Sequence, residues 1–225
     1  HSFPTRRSSD LGGNEAKAAV ELLQLIDIKG TFITADALHC HRALAKTVLE
    51  KQADYVLALK SNQSGLMRDA LAMFAAQPNL KTVTKRERAH DREEVRTACV
   101  VACPDIEKQH NFPGLTAFGR IESLRNGESA TRYYALSQVM TPQDLLNMAR
   151  AHWTIENQLH WMLDVVMKED QSRARKDHAP DNLSLLRKWA LNILQSSPDK
   201  ASIRRKIKKA GWNNQFLRGL YVHMR

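Results

Sequence analysis

Two short apolar runs separated by a helical pattern constrain this fold more than any other feature. Thr31-Phe32-Ile33-Thr34-Ala35 and Tyr55-Val56-Leu57-Ala58-Leu59 are uncharged and rich in β-branched and aromatic residues, as strands buried in a sheet require. Between them, Ala37 to Lys51 carries apolar residues at helical spacing. A strand, helix, strand unit closes as a right-handed crossover with parallel strands, so the expected fold class is α/β. Both strands then end at the carboxyl edge of the sheet, where ligands of open α/β sheets sit. Asp36 follows the first strand and the loop Lys60-Ser61-Asn62-Gln63 follows the second. Asp36, Lys60 and Asn62 are therefore candidate site residues.

The remaining pattern fills in around this unit. Asn14 to about Asp27 reads as a helix, with Asn14 as cap and Ala18, Ala19, Leu22, Leu23, Leu25 and Ile26 at helical spacing. A short helix is expected from Leu66 to Phe74, after which strands follow at Glu94–Val101, Leu115–Leu124 and Ala130–Leu136. The last two flank Arg125-Asn126-Gly127-Glu128, a hairpin turn in which Asn-Gly supplies positive φ. The run Lys85-Arg86-Glu87-Arg88 is of mixed sign and reads more readily as a solvated face than as a polyanion contact.

Thr141-Pro142-Gln143-Asp144 opens another helix with a cap hydroxyl, proline at the first position and an acid at the third. It is expected to continue through HWTIENQLHWMLDVVMKED, His152 to Asp170. Ile155, Leu159, Met162 and Val166 would form an apolar stripe beside the polar stripe His152, Glu156, His160 and Asp164. Asn182–Leu194 is a further amphipathic helix, and Lys200–Arg225 a basic helical tail. His1–Leu11 lacks apolar periodicity and resembles the translation of a sequencing-adapter read, so it is expected to be non-native. The expected division is 1–11, 12–63, 64–140, 141–195 and 196–225.

No apolar run approaches the roughly 18 residues of a membrane span, and the N-terminus lacks a secretory core, which predicts a cytoplasmic protein with no membrane partner. Cys40, Cys99 and Cys103 are odd in number, in keeping with a reducing compartment. His39-Cys40-His41 looks superficially like a metal cluster, but neighbours on a helix point apart, and Cys40 is expected to be a surface or partly buried thiol. The net charge of +10 is uneven: Lys168 to Arg225 holds 14 Lys and Arg against 5 Asp and Glu, or +9. Clustered cations are the footprint of a phosphate-backbone partner, although charge alone supports a solvated tail equally well. The candidates for DNA contact are Arg173, Arg175, Lys176, Arg204, Arg205, Lys206, Lys208 and Lys209, with Lys60, Asn62 and Arg150.

Asp36 at a strand end and Glu156 on a late helix suggest a divided metal site. Carboxylates suit Mg²⁺, and paired ions stabilise the attacking and leaving oxygens of a phosphoryl transfer. Taken singly, Asp36 reads better as a helix cap and Glu156 as a salt-bridge residue. A zinc-type set of Glu156, His160 and Asp164 is strained, because eight residues of helix rise about 12 Å. Trp153 and Trp161 read as core more readily than as platforms for bases.

ITADALHC (Ile33 to Cys40), DYVLALKSNQ (Asp54 to Gln63), RAHWTIENQLHWMLDVVMKEDQSRARKDHAPDNLSLLRKWALNIL (Arg150 to Leu194) and KKAGWNNQFL (Lys208 to Leu217) together resemble bacterial insertion-sequence transposases of the DDE type, H-repeat-associated branch. The resemblance covers Asn14 to Leu220. It implies a partial RNase H-like catalytic core with a β-rich insertion and a helical basic C-terminal region. It also implies Mg²⁺ or Mn²⁺ as cofactor, hydrolysis at transposon ends and strand transfer by the freed 3′ hydroxyl. The implied partners are double-stranded DNA and further copies of the chain in a synaptic complex, at the nucleoid. By this resemblance Asp36 looks like the second catalytic, metal-binding acid and Glu156 the third.

Two departures accompany it. The first acid of such a triad lies on a strand upstream of the helix that begins at Asn14, whereas the one carboxylate ahead of that helix is Asp10, in the suspected foreign segment. The position of the signature arginine, four residues before the glutamate, holds His152. The expectation is an N-terminally truncated transposase fragment, itself inactive. A non-catalytic DNA-binding remnant is the alternative, and a hydrolase of small phosphate esters a third reading that the basic C-terminus disfavours.

Overall fold

The computed structural model describes residues 15–89, 92–155 and 159–222. They form two compact units, the first ending at His152 and the second beginning at Trp153. The first contains α1 (Glu15–Leu25), β1 (Phe32–Ala35), a 3₁₀ turn (Ala37–His39), α2 (Arg42–Glu50), β2 (Asp54–Leu59) and α3 (Ser64–Ala76). It continues with β3 (Thr82–Ala89), β4 (Arg92–Ala102), α4 (Ile106–His110), β5 (Ala117–Arg125), β6 (Glu128–Leu136) and α5 (Pro142–Ile155), which belongs to this unit as far as His152.

The six strands of the described residues join one sheet, ordered β1-β2-β6-β5-β4-β3. β1 and β2 are parallel, with Thr34 opposite Val56, as the crossover required. The other pairings are antiparallel, so the α/β class holds with a mixed sheet. Asn126 at φ 49° and Gly127 at φ 85° make the tight reversal that sets Arg125 opposite Glu128. Thr141 begins α5 as expected: its hydroxyl accepts from Asp144 N at 3.1 Å and donates to Asp144 Oδ2 at 2.6 Å.

Two expectations need correction, and the reading of the charged run as a solvated face gains an unexpected strand. The helix expected over Ala37–Lys51 is broken, because two residues cap in quick succession. Asp36 starts the 3₁₀ turn, and the His41 ring Nδ1 accepts from Leu44 N at 3.3 Å to start α2. The charged run from Lys85 is part of strand β3, paired with β4 along its whole length. An edge strand tolerates charge on both faces, and charge discourages further pairing. The glutamate helix, contrary to expectation, does not keep a single period: a π-helical turn occupies Met162–Val166. Its wider turn shifts the phase, so Leu163 is buried while Met162 is only partly so.

Helices pack on part of each face of the sheet. Leu44, Ala45 and Val48 of α2 and Leu66, Ala70 and Phe74 of α3 pack on Tyr55, Leu57, Val101, Phe118 and Ala135. Within this layer the Tyr55 hydroxyl donates to Pro113 O at 2.7 Å, so the buried phenol keeps a partner. On the other face, Leu145, Leu146 and Ala149 of α5 lie over Val56, Ala98, Ile121 and Leu136.

The second unit holds the π turn, α6 (Ala179–Ser196), α7 (Ile203–Trp212) and α8 (Asn214–Val222), with Leu163, Leu191, Leu194 and Leu220 buried. The expected basic tail is thus two helices. Asn213 separates them, and its Oδ1 accepts from Phe216 N at 2.8 Å. Among the described residues, no helix is long and apolar enough to cross a membrane.

Candidate functional site

The carboxyl edge of the parallel pair is built from loops tied to each other. Asp36 leaves β1 exposed to solvent, and its Oδ1 accepts from Leu38 N at 3.0 Å. The loop after β2 reaches back to the same turn: Asn62 Nδ2 donates to Ala37 O at 2.6 Å and Gln63 Nε2 to Cys40 O at 2.8 Å. Two side-chain amides thereby tie this loop to the turn, with Asn62 sharing Ala37 O with the Cys40 N–H. Lys60, in the same loop, is exposed and makes no capping bond. Asp36, Lys60 and Asn62 do therefore meet at one edge, with the Asn62 amide fixing backbone.

A contact that the sequence did not signal lies beside them. Thr34 Oγ1 and His152 Nδ1 stand 3.1 Å apart, which fastens the end of α5 to β1 two residues before Asp36. Glu156 lies outside the described residues, and the three-ligand reading with His160 and Asp164 falls outside with it. Among the described residues, no cluster of three or more His, Cys, Asp and Glu side chains is placed to hold a metal ion.

The expectation of a surface or partly buried thiol at Cys40 is corrected. The break before α2 turns this residue inward, and it is wholly buried. Burial pushes the Cys40 and Cys103 thiols up to about 12, which keeps them protonated and unreactive. His41 is shifted down, first by burial and then by neighbouring His39, in keeping with a neutral ring whose Nδ1 serves as a cap.

The basic candidates divide by environment. Arg204, Arg205 and Lys208 are exposed, and their spacing along α7 puts them on one face. Arg173 and Lys176 are exposed too, while Arg175 Nη1 donates to Ser172 O at 2.8 Å and to Ala174 O at 2.7 Å. Lys209 Nζ donates to Asp199 Oδ2 at 2.8 Å and lies 4.3 Å from the centre of the Phe216 ring.

Lys206 departs from its expected place on the DNA surface. It is 4% exposed, and its ammonium donates to Leu194 O at 2.8 Å and Ser197 O at 3.2 Å, at the C-terminal end of α6. A cation there satisfies carbonyls that the helix leaves open. Arg150 pairs with Glu87 of β3. Trp153 and Trp161, read as core, are 43% and 48% exposed.

Residues 12–193 match the family model described as the transposase DDE domain. The chain belongs to this family. It is 35% identical over 224 residues to a protein of Escherichia coli K12 named "Putative protein YbfL", covering 93% of this chain and 59% of that protein. It is 34% identical over 224 residues to the "H repeat-associated putative transposase YhhI" of the same strain, with the same coverage. "Putative transposase YncI" of Escherichia coli O157:H7 is 35% identical over 218 residues, covering 91% of this chain and 56% of that protein. The chain thus spans under two thirds of the length of these relatives.

Proposed function

We propose that this chain is part of a DNA transposase that carries out metal-dependent phosphoryl transfer on insertion-sequence DNA, with Asp36 and Glu156 as two of its catalytic, metal-binding acids. One observation carries the reading: an exposed carboxylate follows the first strand of a parallel pair, in a chain whose residues 12–193 match a transposase DDE domain. The core is read as RNase H-like, with residues 64–140 as its β-rich insertion, 141–195 as the glutamate segment and 196–225 as a basic tail.

The donor chemistry at Asp36 fits a hard cation such as Mg²⁺ or Mn²⁺, which takes oxygen ligands and keeps waters for a phosphate substrate. A bound ion would neutralise charge on the reacting phosphate oxygens. The protein's own contribution is positioning. Leu38 N–H orients the Asp36 carboxylate, and Asn62 and Gln63 hold the turn on which it stands. The Thr34 and His152 contact fixes the end of α5, four residues before Glu156 in the sequence. Lys60, Arg173, Arg175, Lys176, Arg204, Arg205, Lys208 and Lys209 supply the charge for duplex DNA. The working form is an oligomer in a synaptic complex at the nucleoid.

One observation favours the alternative of a non-catalytic DNA-binding remnant: Asp36 already serves as the cap of a 3₁₀ turn. Two acids do not complete a two-metal site, so the 225-residue chain is expected to bind terminal-repeat duplex without nicking it. Incubation of the chain with end-labelled duplex and Mn²⁺ tests this, and robust cleavage would refute the inactivity.

A further inference from the structure

Glu87 is surrounded by cations from three elements of the first unit. Lys85 Nζ of β3 lies 3.2 Å from its Oε1, and Arg96 Nη1 of β4 lies 3.2 Å from its Oε2, where Arg150 of α5 also pairs. Arg96 uses its other nitrogen to reach Glu94 Oε2 at 2.7 Å. The strand register makes this a costly arrangement, since Lys85 lies opposite Arg96 and Glu87 opposite Glu94. Directly opposed like charges destabilise an antiparallel pair.

Strand alternation places Lys85, Glu87, Glu94, Arg96, Arg125, Glu128 and Arg132 on one sheet face. With Arg150 that makes, among the described side chains, five cations against three acids on this patch, a surplus of two. The patch is open to solvent: the Lys85 side chain is 47% exposed and that of Arg150 52%. Two guanidiniums and an ammonium converging on one carboxylate have the donor set that binds a phosphate, because the fork of arginine fits both anions.

We propose that Lys85, Arg96 and Arg150 form a seat for a phosphate of the DNA backbone, and that Glu87 fills it in the free chain until a phosphate displaces it. This rests on the reading that the chain binds duplex DNA. The resident carboxylate competes with the ligand, so it lowers affinity and limits binding to polyanions that can make several contacts at once.

Glu87→Gln keeps the size of the side chain and an acceptor for the guanidiniums while removing the competing charge. Glu93→Gln removes the same charge from an exposed position next along β4, on the opposite face. In anisotropy titrations of the 225-residue chain with duplex DNA, E87Q is expected to bind about fivefold more tightly than the parent near 0.1 M salt, with a log–log salt slope steeper by about one. E93Q is expected to change affinity less than about twofold, as charges beyond the contact are screened, and adding R150A to E87Q should erase the gain. Equal effects of E87Q and E93Q, or no tightening by E87Q in a chain that binds duplex, would overturn the seat alone. An absence of duplex binding by parent and E87Q alike would overturn both it and the DNA-binding reading.

Discussion

Loss of the charges of Arg204, Arg205 and Lys208 together is expected to weaken duplex binding by about 100-fold at physiological salt and to reduce the log–log salt slope by nearly three. These three exposed side chains share one face of α7, and each phosphate they neutralise releases counterions. Lys206, on the same helix, is the internal control, because its ammonium is engaged with Leu194 O and Ser197 O. Lys206→Met should leave affinity within about twofold while lowering stability by roughly 1 to 3 kcal/mol through the orphaned carbonyls. Salt titrations of binding, paired with urea unfolding, separate the two effects. A comparable loss of affinity from Lys206→Met would mean that general charge, and not a presented face, holds the DNA.

Gly119→Ala is expected to destabilise the first unit by roughly 1 to 3 kcal/mol, the cost of overpacking a tight core. A Cβ at this position would meet Leu145 Cδ2 at 2.6 Å and Cδ1 at 3.2 Å, and Leu145 is fully buried. Glycine is thus the residue that lets α5 approach the sheet. Leu145→Ala alone should cost about 2 to 5 kcal/mol. In the double variant the new methyl fills part of the space left by leucine, so the two losses should fall short of additivity by about 1 kcal/mol. Urea midpoints of the four proteins measure this, and strict additivity would place the α5 contact elsewhere. The effect reaches function because α5 also carries His152 to Thr34 and Arg150 to Glu87.

The parts of the fold that were legible in the sequence are those whose chemistry is local. The apolar runs around Ile33 and Leu57 were read as parallel strands, the Asn126-Gly127 turn as a hairpin and Thr141 to Asp144 as a helix start, and all three hold. β3 was hidden because its charges suit an edge and mask the alternation. Cap competition at Asp36 and His41 split a helix whose apolar spacing looked continuous. A π-helical turn changed the phase after Trp161, which no fixed period anticipates.

At the candidate site, parallel topology sufficed to bring Asp36, Lys60 and Asn62 to one edge. The Thr34 and His152 contact spans 118 residues, and the Arg150 and Glu87 pair spans 63. Neither has a local signature. The burial of Lys206 was equally invisible, since its neighbours Arg204, Arg205 and Lys208 have the same charge and stand exposed.

If Asp36 and Glu156 are metal ligands, calorimetric titration of Mn²⁺ into the chain with bound duplex shows it most directly. Asp36→Asn is the informative substitution, because asparagine still caps the turn by accepting from Leu38 N but offers a much weaker ligand to a hard cation. Asp36→Asn and Glu156→Gln should each weaken Mn²⁺ binding by about tenfold or more, with duplex affinity and the urea midpoint unchanged. Mn²⁺ affinities equal to the parent's in both variants would contradict that role and leave Asp36 as a cap alone.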